Sequence, residues 1–70
     1  MVELKPVDSS NISAIGYDAA AKELHVQFSS GATYAYRGVP PTVYSKLAEA
    51  KSKGAHFAQH IRSVFKSAKV

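Results

Sequence analysis

Arg62, Lys66 and Lys69 recur at i, i+4 and i+7 near the C-terminus, a spacing that would turn three cations to one side of a helix. They belong to a wider asymmetry. Residues 41–70 hold six lysines and arginines against Glu49 alone, a net +5, whereas residues 1–40 hold three against four carboxylates, a net −1. A one-sided positive field favours an anionic partner, and Lys51, Lys53 and Arg37 stand as further phosphate contacts. The competing reading is a solvated surface that keeps a small protein soluble.

Tyr34 and Tyr36 share one parity and admit two roles. On an open sheet face they would stack bases, at about 1–3 kcal/mol each. In a core they would bury their rings and direct the hydroxyls to partners at the rim, and the strand register below favours this role. His56 and His60 are four apart, the spacing of a helical metal site, but Phe57, Ala58 and Gln59 between them supply no acid and no third ligand is evident. We therefore expect no metal and no cofactor. No G-x-S-x-G nucleophile turn or glycine-rich phosphate loop occurs, and five acidic residues leave few acid–base pairs, so we expect no enzymatic activity.

The elements that must position these residues centre on Leu24 to Tyr36. Leu24, Val26 and Phe28 alternate, as do Ala32, Tyr34 and Tyr36, which predicts two half-buried strands around Ser29-Ser30-Gly31. A three-residue loop with Gly31 at positive φ pairs Phe28 with Ala32, Val26 with Tyr34 and Leu24 with Tyr36. A two-residue turn at Ser30-Gly31 would instead move both tyrosines to the outer face beside His25 and Gln27, as an open aromatic platform. The first register separates apolar from polar cleanly, as a half-buried antiparallel sheet requires. Upstream, a four-residue loop between Asp18 and Glu23 places Tyr17 opposite Leu24 and Ile15 opposite Val26, with a bulge near Ser13 because Ile12 has the opposite parity.

Val39-Pro40-Pro41 ends the sheet and opens a helix through Val43, Tyr44, Leu47 and Ala48, with Gly54 as its stop. A second helix is predicted from about Ala55 to Lys66 or beyond, its apolar stripe formed by Phe57, Ile61, Val64, Phe65 and Ala68. The fold class is thus α+β: a three-stranded antiparallel meander followed by two C-terminal helices packed on one face, leaving the other face wet. Residues 1–8 form an N-terminal segment with room for a short edge strand through Val2 and Leu4, limited by Pro6, and residues 9–70 form a single domain.

The composition, 46% hydrophobic and 20% charged without cysteine, is that of a globular chain in a reducing compartment. No apolar run approaches the ~20 residues of a membrane span, and the first residues lack a signal-peptide core, so a cytoplasmic location is expected.

Ser9-Ser10-Asn11-Ile12, Ile15-Gly16-Tyr17-Asp18, Leu24-x-Val26-x-Phe28-x-x-Gly31, Tyr34-x-Tyr36, Val39-Pro40-x-x-Val43-Tyr44-x-x-Leu47 and Ser52-x-Gly54-x-x-Phe57-x-x-x-Ile61 together resemble the KTSC domain, over roughly residues 9–66. That family is named for the C-terminal extension of some lysyl-tRNA synthetases and also occurs as small stand-alone bacterial proteins. The chain departs from the pattern at Ala58, where similar sequences often carry Asn. The resemblance implies RNA binding, from the attachment to a synthetase and the central Y-x-Y motif. The functional expectation is a small binding module that takes nucleic acid, RNA rather than duplex DNA, through Arg37, Lys51, Lys53, Arg62, Lys66 and Lys69. The alternative is a protein-interaction domain using the open sheet face or the edge of the third strand; a membrane partner is not expected.

Overall fold

The computed structural model describes residues 3–7, 9 and 11–70. The strands are β1 (Lys5–Pro6), β2 (Ile12–Asp18), β3 (Glu23–Phe28), β4 (Thr33–Arg37) and β5 (Ser67–Lys69), and helices α1 (Pro41–Glu49) and α2 (Lys53–His60) lie between β4 and β5. All neighbouring strands are antiparallel and the sheet order follows the chain, β1-β2-β3-β4-β5.

The central hairpin adopts the three-residue loop. Val26 faces Tyr34 and Leu24 faces Tyr36. The Phe28 amide donates to the Ala32 carbonyl at 2.8 Å, the Gly31 amide donates back to Phe28 at 2.9 Å, and Gly31 has φ 98°. The β2–β3 hairpin likewise pairs Tyr17 with Leu24 and Ile15 with Val26, and its register shifts between Ile12 and Ala14, at the expected bulge. Its four-residue turn is closed by Asp18, whose Oδ1 accepts from the Ala20 and Ala21 amides at 3.1 Å. Alanines with good helix propensity are held in a turn because the carboxylate satisfies the backbone donors there.

One face of this ribbon supplies the core. Ile15, Leu24, Val26 and Tyr36 are buried against Val39, Leu47 from α1, and Phe57 and Ile61 from α2 and its end. Pro41 at the first helical position starts α1, because its fixed φ suits the turn and its missing N–H would have had no partner. Tyr44 stacks on Tyr17 with ring centroids 5.0 Å apart, and the Tyr17 hydroxyl donates to the Val39 carbonyl, fixing the exit from β4 beneath α1.

Four expectations are corrected. Among the described residues the sheet has five strands, not three. The N-terminal edge strand lies at Lys5–Pro6 rather than through Leu4, and Val2 falls outside the described residues. Gly54 does not stop α1, which ends at Glu49 with Ala50 as its cap, but sits in the first turn of α2. A side chain there would meet Ser9 Oγ at 3.3 Å, so the glycine permits close approach of the N-terminal segment.

The largest departure is at the C-terminus, where α2 ends at His60 and the chain turns through residues 61–65 into β5. Ile61 is fully buried while Val64, expected on the same apolar stripe, is 64% exposed. The apolar spacing from Phe57 to Ala68 fits a helix, but β4 would then be an edge with unpaired backbone groups. Pairing with β5 covers that edge, and a three-residue strand suffices. The third strand of the meander therefore has no free edge, which removes half of the protein-interaction alternative.

A basic edge along the last strand

The two tyrosines of the Tyr34-x-Tyr36 pair point into the helix-covered face. Tyr36 is 4% exposed, with its ring edge-on to Phe57 at a centroid distance of 5.1 Å. Tyr34 is half-buried and meets Phe28 edge-on at 5.7 Å. The open platform that the alternative register would have built is not formed. Burial pushes the Tyr36 hydroxyl above its ordinary pKa, opposed by the nearby Ser67 side chain and by the charge of Arg62.

The β4–β5 register shows how β5 is placed. Ser67 lies opposite Tyr36 and Lys69 opposite Tyr34, so Ser67-x-Lys69 alternates in step with Tyr34-x-Tyr36. This matched parity was the available sequence signal for the fifth strand. The Arg37 amide donates to the Lys66 carbonyl at 3.0 Å, which brings these two residues together at the other end of the pairing.

The predicted phosphate contacts fall into two groups. Arg37 and Lys66 meet at one end of the β4–β5 pairing, Lys69 lies within β5, Arg62 is near Tyr36, and all four are exposed. They do not form a helical stripe: Arg62 is in the turn after α2, Lys66 precedes β5 and Lys69 is within it. Lys51 and Lys53 sit apart at the α1–α2 junction, lining a shallow groove of about 450 Å³ with Ser9, Asn11 and Gly54. The Lys53 ammonium donates to the Ala50 carbonyl at 3.1 Å, so part of its role is to satisfy the end of α1.

Among the described residues the ion pairs are those of Glu23, with Arg37 at 3.8 Å and with His25 at 3.4 Å. Arg62, Lys66 and Lys69 thus have no carboxylate within pairing distance among those residues. Beside them lies a groove of about 590 Å³ lined by Arg37, Gly38 and residues 64–68, in which the exposed Val64 and half-buried Phe65 supply an apolar surface between cations.

The KTSC domain family model matches residues 8–65. The chain belongs to the KTSC domain family. A crystal structure of a KTSC domain protein from Yersinia pestis superposes with a TM-score of 0.96 at 37% identity, covering 100% of this chain and 99% of that one. An uncharacterized protein of Stutzerimonas stutzeri is 49% identical over 53 residues, 76% of this chain and 75% of that protein. A lysine–tRNA ligase of Nostoc punctiforme is 41% identical over 63 residues, which are 90% of this chain but 11% of the ligase. Within this KTSC domain, Lys66 and Lys69 lie beyond the stretch that the family model matches.

His56 and His60 share one face of α2, with ring centroids 4.5 Å apart. No third His, Cys, Asp or Glu joins them in a metal-binding group among the described residues. No helix among these residues is long and apolar enough to cross a membrane.

Proposed function

We propose that this KTSC domain is a small non-enzymatic module of the cytoplasm that binds single-stranded nucleic acid, RNA in preference to duplex DNA, along the edge formed by β5. The observation that carries this reading is the placement of Arg37, Lys66 and Lys69 along the β4–β5 pairing and of Arg62 in the turn before it, with a carboxylate partner only for Arg37 among the described residues. Phosphates supply such contacts with charge-assisted hydrogen bonds, and the energy is independent of base sequence. The half-buried ring of Tyr34 lies opposite Lys69 and offers at most one stacking surface, whereas Tyr36 is reserved for the core. Similarity to a segment of a lysine–tRNA ligase adds support, since that enzyme's substrate is an RNA.

A strand-adding protein partner fits this edge less well. β5 has three residues, and Lys69 within it with Lys66 beside it are the kind of charges that keep an edge from pairing. The test is an amide-resolved NMR titration with a short uridine-rich RNA and with a duplex DNA of equal length. Shifts at Arg37, Arg62 and residues 66–69 with the RNA are expected; shifts confined to the outer-face row of Gly16, His25 and Ala35 would replace the edge by the open sheet face.

A further inference from the structure

The groove at β5 does not end at Phe65. A second groove, of about 430 Å³, opens on the other side of Val64 and Phe65 and is lined by Val43 and Lys46 of α1 and by His56 and His60 of α2. The two grooves share the Val64–Phe65 ridge, so the basic edge continues across an apolar step into a pocket whose nitrogen-bearing groups are one lysine and two histidines. Among the described residues no carboxylate lines this pocket. The turn after α2 contributes Val64 and Phe65, so the charged or titratable groups of the described residues that face the two imidazoles are Lys46 from α1 and the histidines themselves.

We infer that this groove holds a phosphate of the bound strand on Lys46, His56 and His60, with the adjoining base against Val64 and Phe65, and that the strand is held more tightly when the histidines are protonated. The inference rests on the nucleic-acid reading above and extends it to a site that the basic residues of β5 do not reach.

The geometry sets the sign. Two imidazoles at 4.5 Å beside an ammonium repel one another once both are charged, so the empty groove resists the second proton. Burial, His60 and Lys46 together hold His56 below its ordinary value, which keeps it neutral near pH 7. A phosphate placed among the three groups reverses that balance by supplying the missing counter-charge. Binding then takes up protons, and affinity rises on acidification by up to about tenfold per pH unit for each proton taken up.

The experiment is fluorescence anisotropy with a labelled uridine dodecamer at fixed ionic strength, at pH 7.5 and pH 5.5, on the wild-type chain and on the double variant His56→Gln with His60→Gln. Circular dichroism at both pH values establishes that each protein is folded. His25 remains in the double variant, so any contribution of this outer-face side chain is controlled. At least about a fivefold gain in wild-type affinity at the lower pH is expected, with the gain lost in the variant. Salt-sensitive binding of the wild type without pH dependence, or a variant that keeps the gain, overturns the groove and leaves the β5 edge standing. No binding by the wild type at either pH overturns both. The imidazole C–H resonances give a second readout: RNA should raise the titration midpoint of His56, and an unmoved midpoint in an RNA-saturated sample overturns the inference.

Discussion

Tyr36 joins three parts of the fold through one side chain. Its backbone sits between Leu24 and Ser67 in the sheet, its ring packs edge-on against Phe57, and its hydroxyl meets the side chain of Ser67. Removing the ring deletes packing on all sides, so Tyr36→Ala should cost about 3–5 kcal/mol in urea denaturation. Tyr36→Phe keeps the packing and loses only the hydroxyl, for about 1.5 kcal/mol at most. Equal losses in the two variants would show that the hydroxyl, not the ring, carries the effect. His56 gives a second test at this scale, on the unliganded protein. Its pKa is lowered from 6.5 in the folded chain, by burial first and then by His60 and Lys46, so on acidification the unfolded chain takes up this proton before the folded one does. The stabilisation is complete above pH 6.5 and is lost as pH falls through that value toward the folded-state pKa. The melting temperature should therefore drop between pH 7.5 and pH 5.5, and drop less in His56→Gln; a wild-type rise on acidification would contradict the assignment.

The hairpins were legible from sequence because alternation, turn chemistry and a glycine agree at the same place. Gly31 at φ 98° is the clearest instance, and Gly31→Val should cost about 1–2 kcal/mol by forcing a β-branched residue into left-handed backbone. A variant as stable as the wild type would remove the turn's need for glycine. The C-terminal segment was not legible, for a physical reason. Phe57, Ile61, Phe65 and Ala68 repeat at helical spacing, and no local feature separates a longer helix from a helix, a turn and a short strand. What separates them is non-local: β4 has an edge to cover. Arg62, Lys66 and Lys69 were placed on a helical face that does not exist, and Lys46 carried no local signal because only the packing of α1 against α2 brings it to His56 and His60. A chain ending at Phe65 should lose hydrogen-exchange protection at the Arg37 amide, which donates to the Lys66 carbonyl, while the Leu24 and Val26 amides stay protected. Unchanged protection at Arg37 would mean that β5 contributes nothing to the edge.

At the scale of the whole molecule, the charge asymmetry of the sequence becomes a spatial one. The C-terminal half carries a net +5, and the return of the chain to β4 sets four cations along one edge of the sheet. The most direct test of this account is RNA binding by Arg62→Glu with Lys69→Glu, followed across salt concentration beside the wild type. Both side chains are exposed, so the double variant should fold, with changes in stability within about 0.5 kcal/mol per site. Wild-type affinity should fall with salt at a log–log slope of about −0.7 per phosphate neutralised, or about −3 for four contacts, and the double variant should show no measurable binding at moderate salt. A folded double variant that binds as tightly as the wild type, or a wild-type affinity indifferent to salt, would contradict the basic edge as the nucleic-acid interface.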